Sequence, residues 1–422
     1  MSGQPVIDMI NNSDITRYNS IVYSLVNNPY LLKVICQQMD VKTLANCIAV
    51  SREFHDIAQE VMEKRHGLQH LMLKHNRDIY DDMRPFATAL TDWINSSIDF
   101  KPRTAFILFG GYKRTPDYRK SINTLTKLTS GFPNGCQIVY LDVGPRVIKS
   151  GQSHNTITIN TIAQNNKLAI NPLIQSKMSC ILLSNISGIQ VNTYRSLDAI
   201  VDTANIKCVI YLKSMKIINR SHQSFNIIRK INTEIRVLKQ RFGGQVAIAG
   251  GLIDAAKCWL KGEPPRSLPN PNKPNNKARG LDETFLADPV IITFGGPNLL
   301  AASLVLSYGW YYINQLIGGF KAELDPQFTL DDPNIITQGI LFGNKMICKG
   351  FYNTVLINAF KQHFPSVELF GFRSKKFMFG TTCPSIHEPN ITVYNNNPNL
   401  PYHSLYPKYN SVLLLISYRI DP

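Results

Sequence analysis

Residues 28–66 read NPYLLKVICQQMDVKTLANCIAVSREFHDIAQEVMEKRH. Leu31, Leu32, Ile35 and Met39 recur at helical spacing, and Asp40-Val41-Lys42 makes a break. Thr43 then caps a second segment that sets Leu44, Cys47, Ile48, Ser51 and Phe54, then Ile57, Ala58 and Val61, on one side. The spacing predicts two or three short amphipathic helices. About forty residues of helix are too few to close a core of their own. An apolar face that is not satisfied internally is usually satisfied by a partner. The stretch therefore reads as a docking module, and a helical hairpin packed against its own domain is the plain alternative.

Pro29 and the paired Leu31-Leu32 are followed by Ile35, Leu44, Val50-Ser51-Arg52, Phe54 and Ile57, and this order resembles an F-box. The resemblance implies insertion into the adaptor Skp1 of a cullin-based ubiquitin ligase. Its contacts would then be Pro29, Leu31, Leu32, Ile35, Met39, Leu44, Val50, Phe54 and Ile57.

At 422 residues the chain suggests two or three domains, and 44% hydrophobic content with 10% aromatics is that of a folded protein. The opening MSGQPVIDMINNSD lacks a basic start and apolar core, so no secretory signal is expected. Eight cysteines include no C-x-x-C pair, which points away from a zinc cluster or disulfide framework. Cytosol or nucleus is the expected compartment. Residues 289–320 carry no charge and exceed the ~20 residues that span a bilayer. Pro297, Asn298, Asn314, Gln315 and five glycines favour buried strands and a helix joined by turns, and no membrane association is expected.

The net charge of +16 is uneven. The first hundred residues carry 9 basic and 12 acidic side chains, and the remainder 36 and 17. Within 207–241, Lys207, Lys213, Lys216, Arg220, Arg229, Lys230, Arg236, Lys239 and Arg241 face only Glu234. Such a field favours acidic partners, although the solvated face of a helix explains it equally. No aromatics are interleaved as a stacking platform for nucleic acid would need, so nucleic acid is the weaker reading.

In chain order, 1–22 reads as a flexible tail, 23–66 as the docking module and 67–100 as a helical bridge (Leu68, Leu71, Leu73, then Phe86, Leu90, Trp93, Ile94). His66, His70 and His75 lack the spacing of a helical metal site and read as surface or packing residues. From 103 the texture becomes short apolar strands and helices, including a long basic helix from about Ser221 to Phe242. Residues 261–284 are rich in proline and asparagine and read as a disordered excursion. The fold class expected is α+β: helices followed by a two-lobed α/β body of mixed sheets, with lobes at 101–260 and 285–422.

Ile107-Leu108-Phe109-Gly110 recurs as Ile340-Leu341-Phe342-Gly343. Each copy is followed by a helix, by Phe-Pro (Phe132-Pro133, Phe364-Pro365) and by a strand. The two words suggest a duplicated strand–helix–strand unit, or chance identity of short apolar words. Two similar lobes would leave a cleft, a usual place for ligands or peptides.

CKGFYNTVLINAFKQHFPSVELFGF, with HSLYPKYNSVLLLISY near the end, is similar to the C-terminal part of a FIST domain. GFPNGCQIVYLDVGPRVI and VAIAGGLID resemble its N-terminal part. An F-box ahead of a FIST-type body implies a non-catalytic substrate receptor of a Skp1–cullin–F-box ubiquitin ligase. Its partners would be Skp1, the cullin scaffold and protein substrates, acidic ones among them. Its implied substrate or ligand residues are Cys348, Lys349 and Gly350, with Arg373, Lys375 and Lys376 on a basic rim. Lys345 and Lys349 would favour a Cys348 thiolate; a buried, inert thiol is the alternative. The FIST family is otherwise associated with sensing small ligands, which gives a second reading as an amino-acid or metabolite sensor.

No G-x-S-x-G elbow, G-x-x-x-x-G-K-[ST] loop or G-x-G-x-x-G turn occurs. The Gly-Gly pairs at 110, 243, 250, 295 and 318 read as strand ends and turns. No cofactor, metal or catalytic residue is expected.

Overall fold

The computed structural model describes residues 28–39, 41–47, 50–64, 68–75, 83–110, 127–143, 147–150, 156–159, 176–216, 233–242, 245–261, 285–306, 313–328, 332–344, 351–374, 378–383 and 411–419, with single positions left out at 185, 187, 235, 239, 254 and 333. Among the described residues three helices come first: α1 (Pro29–Gln38), α2 (Val41–Cys47) and α3 (Arg52–Lys64). The Asn28 side chain accepts from the N–H groups of Tyr30 and Leu31, and Pro29 fills the first turn, where no N–H is needed. Ser51 Oγ accepts from the Phe54 N–H at 3.2 Å, which starts α3. Helix α2 already begins at Val41, so Thr43 lies inside it rather than capping it. The break expected at 40–42 is thus short, and a second falls between Cys47 and Arg52.

The body is built from three chain units, each of which lays four strands into one sheet. The first unit holds β1 (Leu68–His75), β2 (Thr104–Gly110), β3 (Gln137–Asp142) and β6 (Ser176–Leu183). The second holds β7 (Gln190–Tyr194), β8 (Ile206–Lys216), β9 (Ala247–Ile253) and β11 (Phe285–Gly295). The third holds β12 (Leu299–Leu306), β13 (Ile335–Asn344), β14 (Glu368–Ser374) and β16 (Ser411–Arg419). In every unit the second strand runs parallel to the third. The fourth lies antiparallel against the second, and the first antiparallel against the fourth.

The units also exchange strands. After β3 the chain forms β4 (Val147–Ser150), which pairs with β14 of the third unit. After β14 it forms β15 (Met378–Gly380), which pairs with β9 of the second. After β9 it forms β10 (Ala255–Leu260), which pairs with β3 of the first. The exchange closes a ring of three. One further strand, β5 (Thr156–Ile159), adds to β1.

Each sheet buries both faces. The outer faces are covered by α4 (Arg84–Ser97) on the first sheet and by α5 (Ile313–Phe328) with α6 (Phe351–His363) on the third. Leu238 and Phe242, from the helical residues within 233–242, cover the second. The inner faces meet in one shared core that includes Leu108, Ile181, Ile210, Ile292, Phe342 and Leu414. Phe106 stacks on Phe294 across the first and second sheets at 6.0 Å. His70 stacks on Phe370 across the first and third at 5.8 Å. A buried Leu, Ile or Phe stabilises a fold by about 1.5–3 kcal/mol, so a core drawn from three sheets holds all three together.

This architecture is mixed α and β, as the sequence suggests, but several boundaries move. The body has three sheets around one centre rather than two lobes. The division at 261–284 falls inside the second unit, because β10 and β11 flank it. Residues 67–100 are a helical bridge only in their second half: Leu68–His75 is a strand of the first sheet. Its Leu71 and Leu73 face α4 while Met72 faces the shared core, so both strand faces are apolar and no two-residue alternation is visible. The uncharged run 289–320 gives the end of β11, β12 and the start of α5. Among the described residues no helix is long and apolar enough to cross a membrane. The expected tail at 1–22, most of 261–284 and the first part of the basic helix at 221–232 lie outside the described residues.

Candidate functional site

The three N-terminal helices close a core of their own, contrary to the expectation that they are too short. Leu32, Cys36, Leu44, Ala58 and Val61 are buried together, with Met39, Cys47, Phe54, Ile57 and Met62 packed around them. No residue of the sheets belongs to this cluster. Lys33 Nζ reaches Glu60 Oε1 at 2.8 Å and ties α1 to α3, although a half-exposed pair contributes little. The nine expected adaptor contacts therefore divide. Leu32 and Leu44 hold the module together from inside, Ile35, Met39, Phe54 and Ile57 are half-buried, and Pro29, Leu31 and Val50 are exposed. Tyr30 and Val34, absent from the expected set, are exposed beside Leu31, with Tyr30 74% and Val34 40% accessible. Adjacent residues on a helix point about 100° apart, and here Leu32 takes the inner side and Leu31 the outer.

Of the six residues expected to hold substrate or ligand, only Arg373 lies among the described residues. Cys348, Lys349, Gly350, Lys375 and Lys376 lie outside the described residues. Arg373 sits in β14 opposite Gly343 of β13. The basic run 207–241 is not one surface: Lys207 and Arg236 are exposed, whereas Lys213 is buried. Lys213 Nζ lies 2.5 Å from Glu234 Oε1. Arg241 donates to the Ile200 carbonyl. Among the histidines, His70 is buried and its Nε2 lies 2.7 Å from Ser179 Oγ. Among the described residues no group of three or more His, Cys, Asp or Glu side chains could hold a metal.

The second candidate site is a cavity at the centre of the body. Its lining comes from all three sheets, including Leu108, Leu183, Leu212, Phe294, Gln338 and Tyr418. Its volume is ≈ 70 Å³, several times the ~10–15 Å³ that one water needs. Among the described residues none of its lining side chains is charged. Two polar atoms there, Gln338 Oε1 and Tyr418 OH, are buried without a hydrogen-bond partner. Burial pushes the Tyr418 phenol above its ordinary range, which keeps it neutral. Sequence reasoning expects a ligand cleft between two lobes but names none of these lining residues. The signal was present in TQGILFG, where a glutamine interrupts an apolar strand, but only the sheet register shows which face it takes.

No family model and no curated protein matches the chain.

Proposed function

We propose that the chain is the substrate-recognition subunit of a Skp1–cullin–F-box ubiquitin ligase, with α1–α3 docking on Skp1 and the three-sheet body holding proteins destined for ubiquitination and proteasomal degradation. The observation that carries this reading is the independence of the N-terminal module. Its core is complete without the body, yet Tyr30, Leu31, Val34 and Val50 stay exposed on its surface. A helical hairpin whose purpose was to cap its own domain would spend that apolar surface on the domain. The exposed residues fit the outer face of a module that needs a partner, and stable partners bury ~1,200–2,000 Å² in total.

Such a subunit does no bond chemistry itself. It raises the effective concentration of a substrate lysine near a charged carrier, so that a bimolecular step becomes close to intramolecular. The test is co-purification of the full chain with Skp1 and cullin. Leu31→Asp with Val34→Asp is expected to abolish it while leaving the circular dichroism and melting of the body unchanged. Retention of both partners by that variant would refute the docking assignment.

A further inference from the structure

The central cavity is a site the docking function does not use. It lies where β6, β11 and β16 end, since Leu183, Phe294 and Tyr418 all line it. Ile189, Val191 and Ile340 line it and keep solvent-accessible surface. Its walls are aliphatic and aromatic apart from Ser184, Gln338 and Tyr418. Gln338 is 9% and Tyr418 3% exposed, so neither polar atom is satisfied by bulk water.

These two side chains are neighbours. Tyr418 on β16 stands opposite Ile336 on β13, and Gln338 stands opposite Ile416. They are a diagonal cross-strand pair on one sheet face, with a typical backbone separation of ~7–8 Å that long side chains can close. Gln338 Oε1 can only accept a hydrogen bond, whereas the Tyr418 hydroxyl can both donate and accept. Buried polar groups in folded proteins are nearly always paired, so two orphans on residues that line one apolar space mark a place that another molecule completes.

We propose that the space where the three sheets meet binds a neutral, largely apolar small molecule carrying one hydroxyl, which donates to Gln338 Oε1 and accepts from the Tyr418 hydroxyl. A single alcohol group satisfies both orphans at once. An alkane satisfies neither. A carboxylate sets its oxygens against Gln338 Oε1, and no cation among the described lining residues offsets its charge. An amino-acid zwitterion would leave two charges without counter-ions, so the ligand class is lipid-like rather than amino-acid-like. Water alone is a weaker occupant of this lining, because a buried water makes about three hydrogen bonds and most of the wall offers none.

The experiment titrates 1-hexanol into the full-length chain and follows the methyl resonances of Leu212, Ile292 and Ile340, with hexane and hexanoate in competition. Saturable shifts confined to the lining methyls are expected, with hexanol bound at least tenfold tighter than either competitor. Gln338→Leu and Tyr418→Phe, separately and together, remove the orphans without removing side-chain bulk. Each is expected to melt no lower than the parent, and the double variant to bind hexane and hexanol alike. Absence of saturable shifts in the parent chain, or an alcohol preference that survives in the double variant, overturns the proposal. So does a cavity in which the two polar groups exchange only with water at every hexanol concentration.

Discussion

Lys213 Nζ lies 2.5 Å from Glu234 Oε1, and Tyr211 OH donates to Glu234 Oε2 at 2.8 Å. The only acidic residue within 207–241 is thus committed to a buried lysine on β8. Removing one partner of a buried pair costs ~3–5 kcal/mol, because the other charge stays in a poor solvent. Glu234 keeps a fifth of its side-chain surface, at 21%, so the low end applies. Glu234→Gln is expected to cost about 3 kcal/mol in urea denaturation. Lys213→Met combined with Glu234→Gln should recover most of that loss, since no charge is then left without its partner and the amide oxygen can still accept from the Tyr211 hydroxyl. Equal stability of Glu234→Gln and the parent would show that the pair is ornamental.

Leu31 and Leu32 are consecutive on α1, and one is 40% exposed while the other is 2% exposed. Charge at Leu32 enters the core shared with Cys36, Leu44, Ala58 and Val61, and truncating such a leucine alone costs ~2–5 kcal/mol. Leu32→Asp is expected to melt the N-terminal module, seen as lost helical signal and rapid proteolysis at α1–α3. Leu31→Asp should leave that module folded and remove only partner binding. If both variants behave alike in proteolysis, the division of α1 into an inner and an outer face is wrong.

Much of the body was legible in its apolar words, because TAFILFG, QIVYLD, VAIAGGLI and SVLLLISY are too apolar for anything but buried strands. Their arrangement was harder to read. The matched words at 107–110 and 340–343 lie in corresponding strands, but one residue out of register. Ile107 faces α4, whereas Ile340 lines the central cavity. A one-residue slip reverses every side chain, so the structural match to Ile107 is Leu341, which faces outward under α5 and α6. The second unit shares no such word with the others, and the third repetition was invisible for that reason. The cavity depends on inward faces from three units, and no single stretch of sequence carries it.

The register also explains two glycines. Gly250 on β9 stands opposite Tyr211, and Gly371 on β14 opposite Leu341, which are corresponding positions in the second and third units. Both have positive φ, +156° and +149°. A Cβ on Gly371 would lie 2.1 Å from the Leu341 carbonyl oxygen, and on Gly250 1.9 Å from that of Tyr211. Backbone cannot retreat from such contacts without breaking the parallel ladder, and strained φ adds about 1–3 kcal/mol. Gly371→Ala and Gly250→Ala should each lower stability by more than about 2 kcal/mol or fail to fold. Gly135 makes a control: its φ is +79° with nothing within 4 Å of an added Cβ, so only the backbone term remains. A Gly371→Ala variant no less stable than Gly135→Ala would contradict the assigned register.

Alkali should unfold this protein from the inside. Burial pushes the Cys136 thiol from 9.0 up to about 12, against a small opposing pull from Arg103. It also raises Cys180 and Cys208. The Tyr211 phenol is raised above 10.0, chiefly by burial and then by Glu234. All of these groups hold their protons in the folded chain at a pH where the unfolded chain has lost them. Their stabilisation is complete below pH 9, and unfolding above it releases protons, so stability falls as pH rises. Each such group adds a slope of about −1.4 kcal/mol per pH unit until it titrates in the folded state, which for Cys136 is near 12. Urea midpoints measured from about pH 8 to about pH 11 should decline steeply, and Cys136→Ala should flatten the decline by roughly one group's share. A midpoint that stays level across that range would mean the thiols already reach solvent, and the packing of β2, β3 and β6 against α4 would have to be redrawn.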